Sequence, residues 1–289
     1  MKFSANGDGP GAVVTDLPGD FRDLSPDERT ALCDGFDTFG LLVFRGREMP
    51  VEEQMALCAE LGTLIDQAAQ GQGWFNITNL GGGYAGKLCF HADFSNSRGL
   101  LTGASLYASA LPSGPTATIF ADTGAAYAEL PEILRARISR RLSVHAAVRP
   151  GTIVDEPLRH QSNRAADPRT VHPLVLEHPS TGKPVLFVND MQTERIVDME
   201  REESTRMLDE LASWIQQPRF VYRHVWQLHD LVVWDQIVMQ HSRAAERTEG
   251  ERTLRRVSFT HPSYAAECQR SFDALGGRAG RSGEQAAVM

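Results

Sequence analysis

Apolar residues in this chain gather in short runs that keep breaking at turn-forming residues. Leu41-Leu42-Val43-Phe44 stops at Arg45-Gly46, and Trp74–Leu80 runs into Gly81-Gly82-Gly83. Comparable runs follow at Leu88–Phe94, Gly103–Ala108, Ala117–Ala121, Leu142–Val148, His172–Glu177, Pro184–Val188, Phe220–Trp226, Asp230–Trp234 and Arg252–Thr260. Short runs separated by Gly, Pro and Asp read as strands. Strand and helix alternate only briefly near the start, which argues against a series of βαβ units. The pattern predicts a mainly β fold with inserted helices, a jelly-roll or related β architecture.

Helices are predicted where capping chemistry meets a 3.6-residue period. In Ser25-Pro26-Asp27-Glu28 the serine side chain can receive the third helical amide while Glu28 reaches back, so a helix should run to about Phe36. Pro50 opens a second helix, with Met55, Leu57, Cys58 and Leu61 on one face. Two short helices are expected near 123–140, divided by Pro131, and the clearest helix spans 199–216. Residues 1–11 read as a flexible arm and 12–262 as a single domain. Within that domain the polar, irregular stretch 150–170 reads as a lid loop. Residues 263–289 read as a C-terminal tail.

The charge balance narrows the partners. Twenty-nine basic against 37 acidic residues give a net charge of −8, which argues against nucleic-acid binding. No apolar run approaches the roughly 20 residues of a membrane span, and the start lacks the apolar core of a signal peptide. Cys33, Cys58, Cys89 and Cys268 have neither metal-ligand nor redox spacing and read as free thiols in a reducing cytoplasm. Lysine occurs only at Lys2, Lys87 and Lys183, so directional arginine dominates the positive charge.

His91-Ala92-Asp93 places an imidazole and a carboxylate two residues apart on a predicted strand, hence on one face. Alone, that fragment is common. His241 changes its weight, because two histidines and one carboxylate make the facial triad of non-haem Fe(II) oxygenases, which leaves positions open for other ligands. Arg252 and Arg256 follow His241 by eleven and fifteen residues. Their even separation puts both on one face of the last strand, with Arg255 on the other. A guanidinium at a strand end is suited to gripping a carboxylate with two hydrogen bonds.

These residues resemble the taurine dioxygenase family of Fe(II)- and 2-oxoglutarate-dependent oxygenases. The similarity runs from about Leu17 to Thr260. It is carried by Phe90-His91-Ala92-Asp93, Leu106-Tyr107-Ala108 with Pro112 and Thr118-Ile119-Phe120, and Ala125–Pro131. It continues through His172-Pro173-Leu174-Val175, His178-Pro179, Leu186-Phe187-Val188-Asn189, Asp230–Asp235 with His241, and Arg252–Arg256. The resemblance implies a double-stranded β-helix core, Fe(II) held by His91, Asp93 and His241, and O₂ and 2-oxoglutarate as cosubstrates. It implies that Thr118 and Arg252 bind the distal carboxylate of 2-oxoglutarate, and that Arg256 faces an anionic substrate group or supports the cosubstrate. It also implies a dimer or tetramer. The chain departs from the family in Pro115-Thr116-Ala117-Thr118, where relatives often read Gly-Gly-Asp-Thr. It departs again in Trp234-Asp235-Gln236, where they commonly read Trp-Asp-Asn.

Gly81, Gly83 and Gly86 fit G-x-G-x-x-G, but no helix follows, so a loop beside the metal is the better reading than a dinucleotide site. Tyr84 and Lys87 on it are candidate substrate contacts. The remaining histidines read as packing, capping or surface residues. The function expected is oxidation, most simply hydroxylation, of a C–H bond in a small anionic molecule, coupled to decarboxylation of 2-oxoglutarate to succinate and CO₂. The competing readings are a cupin-like metal-dependent hydrolase or isomerase, which would not need 2-oxoglutarate, and a non-catalytic binding protein on the same scaffold.

Overall fold

The structure, a computed structural model, describes residues 1–7, 9–67, 71–79, 87–148, 155–161, 165–243 and 250–279. β1 (Lys2–Ala5), β2 (Ala12–Thr15), α1 (Pro26–Phe39), β3 (Leu41–Phe44), α2 (Val51–Leu61), β4 (Thr63–Ile65) and β5 (Trp74–Thr78) open the chain. β6 (Leu88–His91), β7 (Gly103–Ala110), β8 (Ala117–Asp122), α3 (Thr123–Ala128), α4 (Glu132–Ile138) and β9 (Leu142–Val148) follow. Next come β10 (Ala165–Pro173), β11 (Val175–Glu177), β12 (Pro184–Leu186), β13 (Thr193–Ile196) and α5 (Arg201–Ile215). β14 (Val221–Val225), β15 (Leu231–Asp235), β16 (Met239–Arg243), β17 (Thr253–Thr260) and α6 (Ala265–Ala279) complete the order.

Two sheets form the jelly-roll core. The larger has the order β1-β2-β3-β15-β7-β17-β4, with β5 also paired to β17, and the smaller is β14-β8-β16-β6. Leu41, Val43, Ala104, Leu106, Val232, Trp234 and Leu254 of the larger sheet pack against Phe120 and Met239 of the smaller. The other face of the larger sheet is covered by α1 and α2 through Leu32, Phe36, Leu57, Val257 and Phe259. Strand alternation explains both layers, since Leu254 points between the sheets while Val257 and Phe259 point to the helices. α5 closes the smaller sheet through Met207, Leu208, Leu211 and Ile215.

Local chemistry accounts for several boundaries. Ser25 and Glu28 make the reciprocal cap expected of them. α1 ends at Gly40, whose φ of 63° lies in the left-handed region that glycine enters at little steric cost. Gly99 is needed for a different reason, since an added Cβ would lie 2.2 Å from the backbone nitrogen of Cys268 on α6.

Five expectations need correction. Lys2–Ala5 is not a loose arm but pairs with Ala12–Thr15. The segment expected to be irregular to Thr170 contains a 3₁₀ turn at Leu158–His160 and enters β10 at Ala165, paired with β9. The tail begins as α6, an amphipathic helix that buries Cys268 against Ile65, Phe94 and Leu101. β6 ends at His91 rather than Phe94, so Asp93 lies on the turn that follows. His241 lies within a strand, β16, not after one, because the polar sequence Met-Gln-His-Ser-Arg hides its β character. Among the described residues no helix is long and apolar enough to cross a membrane.

Candidate active site

β16 runs antiparallel to β6, with His241 directly across from His91. Side chains of directly opposed residues share a face, and the two imidazole centroids are 4.0 Å apart. Asp93 joins them because the chain turns sharply after β6. Phe94 adopts φ 59°, a costly conformation for a bulky side chain, and its burial with Ile65, Leu101 and Cys268 holds it there. His91 Nε2 lies 3.6 Å from Asp93 Oδ1, and His241 Nε2 lies 3.8 Å from Asp93 Oδ2. The three residues are buried, and one ligand atom from each lies within 4.8 Å of the others.

The donor set fits a metal ion. Two atoms each about 2.1 Å from one ion are at most about 4.2 Å apart, and the three ligand atoms lie within 4.8 Å of one another, so small side-chain shifts bring all three onto a common ion. His91 Nδ1 lies 2.9 Å from the Cys89 carbonyl, which can only accept, so Nδ1 carries the proton and Nε2 keeps its lone pair. Nδ1 of His241 is buried and has no hydrogen-bond partner among the described residues. Protonation states suit ligation as well. Burial pushes the His91 and His241 imidazoles below their usual range, His241 the more strongly. Burial also pushes the Asp93 carboxyl up, but the Arg256 guanidinium, the largest opposing influence, holds it well below the carboxylate range. The cluster is therefore two neutral imidazoles and one carboxylate.

Asp93 is held from one side. Its Oδ2 accepts from Arg256 Nη2 at 2.6 Å and from the Gln236 side-chain amide, while its backbone N–H donates to Gln236 Oε1. Oδ1 accepts no hydrogen bond from the described residues and faces His91. Arg256 is fixed in turn by Gln67 and Ser258, each 3.0 Å from its Nε. The turn carrying Gln236 is pinned by Asp235. Its Oδ1 accepts from the Ile237 and Val238 amides, and its Oδ2 lies 2.7 Å from Nε2 of buried His178. Asp235 thus makes a turn, and does not touch a candidate ligand.

Arg252 and Thr118 also face the space between the sheets. Arg252 Nε donates to Thr116 Oγ1 at 2.9 Å, and Trp226 Nε1 donates to Thr118 Oγ1 at 3.0 Å. All four side chains are buried. Arg255, on the opposite face of β17, bonds to Gln54 and the Met49 carbonyl, as the odd spacing requires. Arg243 stands directly across from Thr118, a cation the sequence reading missed. Lys87 is an exposed residue immediately before β6, and Tyr84 lies outside the described residues.

The family model "Taurine catabolism dioxygenase TauD, TfdA family" matches residues 7–258. The chain belongs to that family. Pentalenolactone F synthase of Streptomyces arenae is 31% identical over 261 residues, covering 81% of this chain and 87% of that protein. The alpha-ketoglutarate-dependent 2,4-dichlorophenoxyacetate dioxygenase of a Burkholderia species is 27% identical, covering 81% and 86%. A crystal structure of AAD-2 with Mn(II) and N-oxalylglycine superposes with a TM-score of 0.75 at 25% identity, covering 91% of this chain and 98% of that one. As a member of the TauD/TfdA family the protein is an Fe(II)- and 2-oxoglutarate-dependent dioxygenase, an oxidoreductase.

The residues missed from sequence are Gln67, Gln236, Thr116, Trp226 and Arg243. Gln236 and Thr116 carried a signal, since each stands where the chain departs from the family's usual motif. Gln67, Trp226 and Arg243 carried none, because their relevance depends on which side chains the sheets bring opposite them.

Proposed function

We propose that His91, Asp93 and His241 hold Fe(II), and that Arg252 and Thr118 take the distal carboxylate of 2-oxoglutarate. The observation that carries this is the convergence of two neutral imidazoles and one ionised carboxylate in a buried cluster, from positions separated by about half the chain. Bound Fe(II) supplies the activation of O₂ that couples decarboxylation of 2-oxoglutarate to oxidation of a substrate C–H.

The chain's own residues set the conditions for that chemistry. Gln236 and Arg256 occupy Asp93 Oδ2, which leaves Oδ1 as the oxygen that would be available to a bound ion. Arg252 supplies positive charge for the far carboxylate, and the Thr118 hydroxyl supplies a neutral donor beside it. Burial strengthens both interactions and keeps bulk water from competing. Arg256, already anchored through Nε and Nη2, meets an anionic substrate group with the Nη1 edge of its guanidinium. The substrate is accordingly a small organic anion, a class that includes the 2,4-dichlorophenoxyacetate for which one relative is named. Lys87, exposed immediately before β6, is taken as a substrate contact. The four cysteines, all free, agree with a cytoplasmic protein, and we take it to be a dimer or tetramer.

The test is succinate release from 2-oxoglutarate by Fe(II)-loaded protein across a panel of small carboxylates, sulfonates and aryloxyalkanoates. An organic anion should raise succinate release above the uncoupled rate and appear as an oxidised product. Turnover of such a compound without 2-oxoglutarate would instead favour a metal-dependent hydrolase.

A further inference from the structure

Beneath the proposed cosubstrate pocket lies a layer that no motif marks. Trp226 follows β14, and its backbone N–H donates to the Thr116 carbonyl at 3.0 Å. Its indole N–H donates to Thr118 Oγ1, also at 3.0 Å. The indole is braced by His224, whose ring meets it edge-on at 4.5 Å. Two residues before Thr118, Thr116 Oγ1 accepts from Arg252 Nε at 2.9 Å. Trp226, Thr116 and Thr118 are each no more than 5% exposed.

Donor and acceptor counting gives these contacts direction. An indole nitrogen can only donate, so Trp226 occupies an acceptor lone pair of Thr118 and leaves the hydroxyl proton for another acceptor. A guanidinium Nε can also only donate, so Thr116 must accept. With Nε engaged, a carboxylate gripping Arg252 with two bonds uses the Nη nitrogens rather than the Nε edge.

We propose that Trp226 and Thr116 are positioning residues for the distal carboxylate of 2-oxoglutarate. Trp226 sets the polarity of the Thr118 hydroxyl, and Thr116 sets the rotation of the Arg252 guanidinium. This rests on the assignment of Arg252 and Thr118 to the cosubstrate made above. It also gives a physical meaning to the Pro115-Thr116-Ala117-Thr118 departure, in which the first threonine supports the arginine and the second meets the ligand.

Calorimetric titration of Mn(II)-loaded protein with 2-oxoglutarate and with oxalate tests this, because oxalate can chelate the metal but has no distal carboxylate. Trp226→Phe and Thr116→Val should each raise the 2-oxoglutarate Kd about 5- to 10-fold, the effect of one hydrogen bond. The oxalate Kd should stay within about twofold, and Thr116→Ser should restore 2-oxoglutarate binding. Equal weakening of both ligands would show a merely structural role and overturn the proposal. So would unchanged 2-oxoglutarate binding in both variants when Arg252→Ala weakens it. If Arg252→Ala itself binds 2-oxoglutarate as tightly as the parent, the cosubstrate assignment falls, and this proposal with it. The two substitutions remove separate bonds, so if one variant does not fold the other decides.

Discussion

Replacing Arg256 by Met should destabilise the metal-free protein far more than loss of a surface charge would. Arg256 Nη2 and Asp93 Oδ2 are 2.6 Å apart, with side chains only 3% and 4% exposed. At an effective dielectric constant near 20 their attraction is about 6 kcal/mol, against a large desolvation cost already incurred on folding. The substitution removes the attraction and leaves the cost. Breaking one side of a buried pair generally costs about 3–5 kcal/mol, and Gln236 still bonding to Oδ2 places the expectation at the lower end, about 3 kcal/mol. The assay is urea unfolding of metal-free protein, repeated with saturating Mn(II). The ion supplies the missing positive charge beside Asp93, so the penalty should shrink with metal. Arg256→Lys separates charge from shape and should recover part of the loss. A penalty below about 1 kcal/mol in metal-free Arg256→Met, or one that Mn(II) does not reduce, would refute the view that Arg256 and the metal share Asp93.

Other outcomes follow from single contacts. Gln236→Leu removes both bonds to Asp93 and should weaken Mn(II) binding about 10- to 100-fold, measured by electron paramagnetic resonance titration; unchanged affinity would deny Gln236 a role in orienting the carboxylate. Burial pushes the His178 imidazole down, but its hydrogen bond and attraction to Asp235 push it further up, to a net raised value. A raised folded value means this stabilisation is complete below the unfolded pKa of about 6.5 and is lost as pH rises through the folded one. The stability gap between parent and His178→Gln should therefore narrow as pH rises above the unfolded value of about 6.5 in urea unfolding, and a gap that widens with pH contradicts the pairing. Gly99→Ala forces a Cβ against the α6 backbone and should cost about 1–3 kcal/mol. It should also speed alkylation of Cys268, whose buried thiol is pushed up to about 12, and no change in that rate would show that α6 need not move.

What could be read in advance was whatever is written locally. The capping box at Ser25, the turn glycines and the apolar runs that became β3, β7 and β15 are short-range patterns, and they form as the local chemistry requires. The alternation on β17 was legible too, because Arg252 and Arg256 on one face and Arg255 on the other follow from a period of two. β16 was not, since its side chains are mostly polar and are buried only because the site needs polar groups inside. β1 and the start of β10 depend on partners elsewhere in the chain. The residues around the cluster were least visible of all. Gln67, Gln236 and Trp226 matter through a few hydrogen bonds to residues far away in sequence, and no local pattern encodes such contacts, even where a departure from the family motif marks the position of Gln236.

The central claim is that one buried cluster binds Fe(II) and, through it, the 2-oxo acid end of 2-oxoglutarate. Its most direct measurement is anaerobic titration of Fe(II)-loaded protein with 2-oxoglutarate, read as the weak visible charge-transfer band of the chelate. The parent should develop the band, His91→Ala, Asp93→Ala and His241→Ala should not, and Arg252→Ala should need much more 2-oxoglutarate to reach it. A folded, iron-loaded parent with no band, or a band of full intensity and affinity in the Asp93→Ala and His241→Ala proteins, would contradict the account.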